Sequence, residues 1–503
     1  MTASLSGVSG ELVTVETDIT RGLPAYSIVG LAGKSIKEAS ERIRSAIMNS
    51  GASFPTRRVT VNLAPAAGKK HGSHFDLPLA LGVLAASGQI AEAGARQRDV
   101  AFFGELSLDG KVGRSDGILP LVVCARINGI REVCVPQENA EEASLVEGMK
   151  VYAVGDLWSA ACVLSGNGDP FIYISRNSPK DGGSREADAA DDYSDIRGQE
   201  AAKRALVICA AGGHGIIMTG PPGSGKTMLA KRLPGILPDL SEEERFDVSM
   251  IYSVAGLLGE DRPFIERRPF RHVHHDITRV ALLGGGIIPM PGELSLAHKG
   301  VLFMDEMPQF KSSVTESLRE PLEEKKITIS RSGSTVTYPA DVILVAAANP
   351  CPCGHLGDEG TECTCSAAEI ARYEKNISPM ILDRVDMHIR VPRVRYSDIR
   401  DDGKVTSTAE MKAMVMRARE EQEKRYGRAG FTNSMLGPNE IEAYCGLGEE
   451  CNSLLERAYD TLPLTMRTYH KTIMLARTIA DIRGAKDISV PDIAEALQYR
   501  GKD

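Results

Sequence analysis

The sequence predicts an α/β protein in three parts: a mixed α/β N-terminal domain, a core built on a parallel β-sheet, and a small all-helical C-terminal domain. Three observations support this prediction. Residues 1–165 combine strand-like alternation in "ELVTVETDI" and "RRVTVNLAP" with a helical pattern in "KSIKEASERIRSAIMNSG". Strands and helices then alternate over residues 195–394, as they do in parallel-sheet domains. From residue 395 to residue 503 the pattern is helical, as in "MKAMVMRAREEQEKRYG".

A change in composition separates the first two parts. Residues 166–194 are rich in Gly, Ser, Asp and Pro, which is typical of linkers because such residues favour turns and bury little apolar surface. We therefore expect an N-terminal domain over 1–165, a linker over 166–194, a core over 195–394 and a helical domain over 395–503.

The overall composition limits the possible locations and partners of the chain. Its 503 residues are 42% apolar and 25% charged, which is ordinary for a globular protein. The opening "TASLSGVSGELV" lacks the basic and apolar regions of a signal peptide, and no apolar run is long enough to cross a bilayer. We expect a cytoplasmic protein with reduced cysteines and no membrane partner. Because the net charge is −8, any binding to nucleic acid would require a local basic patch.

The strongest motif is a phosphate-binding loop. An apolar strand, Ile216 to Thr219, leads into "GPPGSGKT" and then into a helix, which is the P-loop pattern in its expected context. Glycines allow the backbone N–H groups to turn toward phosphates, and the helix N-terminus favours negative charge. The pattern assigns ATP binding to Gly220, Pro221, Pro222, Gly223, Ser224, Gly225, Lys226 and Thr227. Lys226 is expected to reach the β- and γ-phosphates, and Thr227 to ligate Mg²⁺.

Two later strands end in polar residues that suit the same site. The apolar run from Val301 to Met304 ends in Asp305 and Glu306. Asp305 is expected to hold Mg²⁺ through water, and Glu306 to polarise the attacking water. The strand "DVILVAAANP" ends at Asn349, which is expected to orient that water near the γ-phosphate.

Four cysteines follow Asn349 in "NPCPCGHLGDEGTECTC". Two C-x-C pairs, Cys351 with Cys353 and Cys363 with Cys365, bring four thiolates within reach of one tetrahedral centre, and Zn²⁺ is the metal expected there. The intervening loop is too polar to form a core, so a metal would give it order. The alternative is four free thiols, and the spacing within each pair is tighter than the usual C-x₂-C.

Together these residues resemble AAA+ ATPases of the magnesium-chelatase-related branch, in particular the bacterial YifB/ComM-like family. The resemblance spans nearly the whole chain. The segments that carry it are "GLPAYSIVGLAGKSIKEASERIRSAI", "VNLAPA", "FDLPLALGVLAASGQI", "RPFRHVHHDIT", "LLGGGIIPMPGELSLAHKGVLFMDE", "LREPLEEKKITISR", "NPCPCG" and "MRTYHKTIMLARTIADI".

The resemblance implies a Lon-protease-like (ribosomal S5-type) N-terminal domain, an AAA+ core and a C-terminal helical lid. It also implies a homo-hexameric ring with ATP at the subunit interfaces. Arg384 in "ILDRVD" matches the arginine finger that reaches a neighbour's γ-phosphate, and Arg467 in "TMRTYH" matches the sensor of the lid. A planar, permanently charged guanidinium suits transition-state charge. Each arginine has the alternative of a local salt bridge.

The Lon-like domain lacks the residues that proteolysis needs. Lon uses a serine after a Gly-Pro turn and a later lysine as the base. Here the turn reads "GSHFD", with Ser73 in it, and the place expected for the lysine falls in "GILPLVV" near Leu119. Without the Ser–Lys dyad, the domain is expected to serve binding or assembly.

Three hypotheses remain for what the motor acts on. The first is single-stranded or branched DNA, moved by a helicase or translocase that promotes branch migration in natural transformation, with recombination proteins as partners. The basic residues Lys325, Lys326 and Arg331, on a predicted β-hairpin that faces the pore in related rings, favour this hypothesis. The second is a magnesium-chelatase-like motor, and the third is a protein remodeller or protease.

Overall fold

The computed structural model describes residues 1–66, 68–90, 98–174, 192–259, 263–331, 334–358, 360–376, 379–394, 405–461 and 465–500, with only the backbone described at 331, 334, 379 and 380. Most of the predicted linker, and the predicted boundary at residue 395, lie outside these residues. The α/β prediction, with a parallel-sheet core and a helical C-terminal region, is confirmed.

The described residues of the N-terminal domain form three sheets and several helices. One sheet has the strand order β1-β2-β4-β3, a parallel sheet has the order β5-β8-β9, and β6 pairs with β7 in a small third sheet. Its strands are β1 Thr2–Ser6, β2 Ser9–Thr20, β3 Ala25–Val29, β4 Arg58–Ala64, β5 Val100–Phe102, β6 Glu105–Leu106, β7 Val112–Gly113, β8 Glu132–Pro136 and β9 Lys150–Val154. Its helices are α1 Lys34–Asn49, α2 Asp76–Ala86, α3 Ile118–Ile127, α4 Ala140–Ser144 and α5 Leu157–Leu164.

The core follows with alternating helices and strands. Its helices are α6 Glu200–Gly212, α7 Lys226–Lys231, α8 Glu242–Val254, α9 Arg279–Leu283, α10 Glu293–Leu296, α11 Ser312–Ser317, α12 Arg319–Glu324, α13 Ala367–Asn376 and α14 Pro379–Arg384. Its strands are β10 Ile216–Thr219, β11 Phe270–Val273, β12 Gly284–Gly285, β13 Met290–Pro291, β14 Val301–Met304, β15 Lys326–Arg331, β16 Ser334–Pro339, β17 Ile343–Ala348 and β18 Met387–Arg390. The lid consists of α15 Thr408–Tyr426, α16 Pro438–Tyr444, α17 Glu449–Thr461, α18 Met466–Arg483 and α19 Val490–Gln498.

The central sheet of the core is parallel throughout, with the strand order β11-β14-β17-β10-β18. Strands β10, β14 and β17 are almost entirely buried, which explains why they appear in the sequence as continuous apolar runs. One face of the sheet shares a hydrophobic cluster with helix α6 and with lid helix α18. The sheet order places β17 between the P-loop strand β10 and the acidic strand β14.

Both α/β domains extend into the segment that was predicted to be the linker, residues 166–194. The backbone N–H of Tyr173 donates to the carbonyl of Val151 at 2.8 Å, so the N-terminal domain continues past residue 165. Tyr193 is fully buried, and its hydroxyl donates to the carbonyl of Leu229 at 2.7 Å, so the core begins before residue 195. A backbone hydrogen bond holds the first end and a buried tyrosine the second, and a composition-based boundary detects neither.

The N-terminal domain packs directly on the core through α3 and α8. The N–H of Gly117 donates to the carbonyl of Ser253 at 2.9 Å, and the N–H of Leu119 donates to the Ser253 hydroxyl at 3.2 Å. That hydroxyl also donates to the buried carboxylate of Glu142. Leu119 itself is fully buried, in agreement with the apolar character of this position. Within the described part of the chain, no helix combines the length and the apolar character that crossing a bilayer would require.

Candidate nucleotide-binding site

The P-loop connects β10 to α7 and surrounds the ammonium group of Lys226. Gly225 precedes the helix with φ at +91°, in the left-handed region that glycine adopts without strain. Lys226 Nζ donates to the carbonyls of Gly220 at 2.6 Å and Pro221 at 2.9 Å. Burial lowers the pKa of Lys226. The ammonium group is therefore held inside the loop by neutral oxygens, which phosphate oxygens can replace.

Thr227 and Asp305, the two residues expected to hold Mg²⁺, lie beside each other. The Thr227 hydroxyl donates to Asp305 Oδ2 at 3.0 Å. The carboxylate of Asp305 therefore lies beside the hydroxyl that is expected to ligate Mg²⁺, where it could hold the ion through water. Asp305 Oδ1 accepts a hydrogen bond from the N–H of Glu306 at 2.9 Å, which fixes the rotamer of the aspartate.

Glu306 has an unusual backbone for a residue with a side chain. Its φ of +52° lies in the left-handed region, where a non-glycine residue is strained and often functional. This conformation ends strand β14 abruptly, and the carboxylate is half-exposed beside Asp305. Such exposure suits a group that must contact a water molecule.

Two histidines approach the acidic pair, and sequence reasoning missed this proximity. His272 Nε2 lies 3.9 Å from Asp305 Oδ2, and His275 Nδ1 lies 3.5 Å from Glu306 Oε2. The contact between His275 and Glu306 lacks hydrogen-bond geometry. Among the described residues, the buried Nδ1 of His275 has no hydrogen-bond partner. The histidines reach the acids because β11 runs parallel to β14, with Val273 opposite Met304.

Asn349 lies between the P-loop and the acidic strand, as its sequence position suggested. It directly follows β17, the strand between β10 and β14. Lys226 Nζ lies 3.4 Å from Asn349 Oδ1. The carboxyl ends of three parallel strands therefore bring Lys226, Thr227, Asp305, Glu306 and Asn349 to one edge of the sheet.

Arg384 and Arg467 share one carboxylate in this chain. Arg384 is largely buried and forms an ion pair with Glu323 on α12. Arg467, on lid helix α18, donates to Glu323 Oε1 at 3.4 Å. Within the described residues neither arginine forms a hydrogen bond or ion pair with residues 220–227. The structure thus shows the local salt bridges. The role of Arg384 at a neighbour's γ-phosphate and the role of Arg467 as the sensor of the lid stay predictions.

The four cysteines converge as predicted. Their Sγ atoms all lie within 4.8 Å of one another. The separations are 3.3 Å between Cys351 and Cys353, 3.7 Å between Cys351 and Cys363, and 3.6 Å between Cys353 and Cys363. A tetrahedral Zn²⁺ with bonds of about 2.3 Å holds its sulfur ligands about 3.8 Å apart. The four thiols therefore fit one zinc ion. His355 Nδ1 lies 3.2 Å from Asp358 Oδ2 instead of joining the cluster.

The loop that carries the cysteines, residues 350–366 and here named the cysteine loop, presses against the P-loop. Gly354 has φ at +83°, and a Cβ atom on it would lie 2.6 Å from Pro222 Cδ. Only a glycine permits this approach without a shift of either loop. The cysteine loop and the P-loop are therefore in close contact at Gly354 and Pro222.

The basic hairpin formed by β15 and β16 is present, and its lysines lie at its base. Lys325 Nζ lies 3.0 Å from Asp341 Oδ1, and Lys326 Nζ lies 3.5 Å from Glu324 Oε2. The side chain of Arg331 lies outside the described residues. Both lysines are half-exposed, so they remain accessible, but each is already paired with a carboxylate.

Family comparisons agree with this site. Residues 192–399 match the family model described as magnesium chelatase, subunit ChlI, residues 15–139 match subunit ChlI of Mg-chelatase, and residues 405–500 match the C-terminal part of subunit ChlI. Competence protein ComM of Haemophilus influenzae is 41% identical, with 98% of this chain and 95% of the relative covered. The uncharacterized protein YifB of Escherichia coli is 39% identical, with 100% of this chain and 96% of the relative covered.

The chain belongs to the ComM/YifB family of magnesium-chelatase-related AAA+ proteins. The resemblance seen in the sequence is thereby confirmed. Similarity to a magnesium chelatase itself is more limited: the 67 kDa subunit of Heliobacterium mobile is 29% identical over 199 residues, which is 32% of this chain and 29% of that relative. Membership in the ComM/YifB family implies ATP and Mg²⁺ as cofactors.

Proposed function

We propose that this ComM/YifB-family chain is the ATP-hydrolysing subunit of a hexameric ring that moves on single-stranded or branched DNA and promotes branch migration during recombination in natural transformation. The observation that supports an ATPase activity is the convergence of five polar side chains at one edge of the parallel sheet. The full-length similarity to a protein named for competence supports the role in transformation. Recombination proteins are the partners that this role implies.

Each residue of the site has a distinct task in this proposal. Lys226 exchanges two backbone carbonyls for β- and γ-phosphate oxygens. Thr227 would ligate Mg²⁺ and Asp305 would hold the ion through water; when bound, the ion would neutralise charge on those oxygens. Glu306 polarises the attacking water, and Asn349 orients it. Arg384 acts in trans on the next subunit's nucleotide, and Arg467 acts as the sensor of the lid; both must leave the carboxylate of Glu323 to do so.

The first test is nucleotide turnover. Lys226→Ala should abolish ATP hydrolysis, because the loop loses its phosphate cation. Glu306→Gln should still bind ATP but hydrolyse it very slowly, because an amide does not polarise water. Normal turnover by Lys226→Ala would show that the site is assigned incorrectly.

The second test asks whether Arg384 acts in trans. Subunits with Arg384→Ala keep an intact P-loop, and subunits with Lys226→Ala keep an intact arginine. Mixed rings should recover partial ATPase activity at interfaces where an intact site meets an intact arginine. If mixed assembly is confirmed and no ratio gives recovery, the trans role is wrong.

The third test concerns DNA. Replacing Lys325, Lys326 and Arg331 by glutamine should weaken DNA binding and flatten its salt dependence, while basal ATP hydrolysis survives. Lys424→Gln, which removes an exposed lysine of the lid, is the matched control and should leave DNA binding unchanged. The decisive measurement is ATP-dependent conversion of a labelled four-way junction into duplex products.

A magnesium-chelatase-like motor is the second candidate function, because the family models and a partial relative are named for that enzyme. A protein remodeller with an inactive Lon-like domain is the third. Porphyrin metallation and unfolding of a tagged protein are therefore measured beside the junction assay. A ring that hydrolyses ATP, ignores all DNA at low salt and supports either control reaction would replace the DNA proposal.

We also propose one structural Zn²⁺ per chain, held by Cys351, Cys353, Cys363 and Cys365. This proposal is supported by the distances between the four sulfur atoms, which match those of a tetrahedral thiolate site. Elemental analysis of protein purified without added metal should give about one zinc per chain. The double variant Cys351→Ser and Cys363→Ser should lose it, whereas Cys162→Ser, a half-buried cysteine of α5, should retain it. Equal zinc in all three proteins would refute the site.

A further inference from the structure

Lys471 is a buried lysine that caps the helix carrying Arg384. It lies on lid helix α18, and only 8% of its side chain is exposed. Its Nζ donates to the backbone carbonyls of Asp383 and Arg384, both at 2.7 Å. These carbonyls belong to the last turn of α14, where intrahelical donors are missing and a positive charge is favourable. Lys471 therefore fixes the end of the helix from which the Arg384 side chain projects.

Asp386 connects Lys471 to the central sheet. Its Oδ1 lies 2.7 Å from Lys471 Nζ, and its Oδ2 lies 3.0 Å from His214 Nδ1. His214 is fully buried two residues before β10, and its Nε2 lies 2.9 Å from the hydroxyl of Thr478 on α18. The buried contacts run from α18 through Asp386 and His214 and back to α18. Such a closed network resists independent movement of its parts.

One face of α18 presents all of these contacts. Arg467, Lys471 and Thr478 are four and seven positions apart, which places them on the same side of the helix. Arg467 reaches Glu323, the carboxylate that Arg384 also binds. The main chain of α14 is held by Lys471, and its arginine lies beside Arg467. The two guanidinium groups are therefore carried by elements that are joined at a buried ion pair.

We propose that Lys471 is a positioning residue for Arg384: it locks α14 to α18, so that Arg384 is held in the orientation in which it approaches the neighbouring subunit's nucleotide. This inference rests on the proposed ATPase function. The polar partners of Lys471 are the carbonyls of residues 383–385 and the carboxylate of Asp386. Its loss should therefore reduce turnover in the next subunit and leave ATP binding in its own subunit intact.

The first experiment separates turnover from binding. Lys471→Met keeps the length of the side chain and removes the charge. Because it leaves Asp386 buried without its lysine, the double variant Lys471→Met with Asp386→Asn is made as well, since removing both charges is far less destabilising than removing one. In both variants we expect kcat to fall about tenfold or more, as for a misplaced catalytic group. ATP affinity should stay within about twofold. Lys424→Met is the control and should change neither quantity.

The second experiment locates the defect with mixed rings. Lys471→Met subunits combined with Lys226→Ala subunits should recover activity at about a quarter of the interfaces in an equal mixture, because every interface in a ring is head-to-tail. Lys471→Met combined with Arg384→Ala should recover none, because both lack a positioned arginine. Loss of ATP affinity with an unchanged kcat, or recovery only in the second mixture, would overturn the inference.

The mixture of Arg384→Ala with Lys226→Ala separates this inference from the proposed function. If that mixture fails in assembled rings, the trans role of Arg384 is wrong and the inference about Lys471 fails with it. If that mixture recovers activity while the Lys471→Met mixture does not, Lys471 alone is assigned incorrectly.

Discussion

Gly354 offers the sharpest test of how the cysteine loop supports the nucleotide site. Its φ of +83° is in the left-handed region, and a Cβ atom would lie 2.6 Å from Pro222 Cδ and 2.8 Å from Pro222 Cγ. Pro222 is part of the P-loop, but it is not one of the residues expected to contact phosphate or magnesium through its side chain. Gly354→Ala therefore perturbs the shape of the site without removing any of its chemical groups.

The expected effect has two components. Alanine in the left-handed region is destabilised by about 1–2 kcal/mol. In addition, carbon atoms pack at about 3.5–4.0 Å, so one of the two loops must retreat by about 1 Å. A displacement of about 1 Å in a catalytic site can reduce the rate by about 100-fold. We expect weaker ATP binding and a fall in kcat/KM of about 10- to 100-fold, together with the loss of stability.

Gly357→Ala is the matched control. It lies in the same loop with φ at +74°, but a Cβ atom there meets no described atom within 4 Å. It should show the backbone strain without the displacement of the P-loop. Thermal unfolding, nucleotide binding and steady-state ATPase kinetics are measured for both variants. If the two variants lose the same amount of activity, the contact with Pro222 has no functional role, and the reasoning is refuted.

Two further predictions concern stability. Glu323→Gln should lower the free energy of unfolding by about 1–2 kcal/mol, because the buried Arg384 and also Arg467 lose their charged partner. The control is Glu324→Gln at an exposed neighbouring position, which should change the free energy of unfolding by less than about 0.5 kcal/mol. Equal effects of the two variants in denaturant titrations would contradict this prediction. Burial lowers the pKa of His298 to about 4, and its Nδ1 accepts the N–H of Asp341 at 3.0 Å. Because the unfolded histidine titrates near pH 6.5, stability should fall as the pH drops from about 6.5 to 4, by about 2 kcal/mol at pH 5. His298→Asn should flatten that slope, and an unchanged slope would show that another group is responsible.

The nucleotide site was largely predictable, because each of its parts has a local pattern. The P-loop, the strand ending in Asp305 and Glu306, and the strand ending in Asn349 each combine a buried apolar run with polar residues directly after it. Parallel strands end at the same edge of the sheet, so these residues had to meet there. The convergence of the four cysteines was predictable for a similar reason: only a short loop separates the two C-x-C pairs, so their thiols can meet at one centre.

The contacts that support the site were not predictable, because they depend on how separate elements pack. Glu323 contacts both Arg384 and Arg467 only because helices α12, α14 and α18 come together in the fold. His272 and His275 lie near Asp305 and Glu306 because β11 pairs with β14. The order of strands in the sheet could not be predicted from the sequence, so this proximity could not be predicted either. The lysines of the basic hairpin pair with Asp341 and Glu324, which follow and precede the hairpin in the sequence.

The two supports act on different subunits, and this leads to a final prediction. Gly354 supports the P-loop of its own subunit, whereas Lys471 positions an arginine that is proposed to serve the next one. In rings that mix Gly354→Ala with Lys471→Met, some interfaces join an intact P-loop to an intact arginine, so activity should recover. Rings that mix Gly354→Ala with Lys226→Ala should not recover, because both defects lie in the P-loop that binds the nucleotide. If the first mixture stays inactive in assembled rings, or the second recovers, the two supports do not divide between the cis and trans halves of the site. A recovery confined to the first mixture would instead show that the cysteine loop and the lid control opposite sides of the same interface.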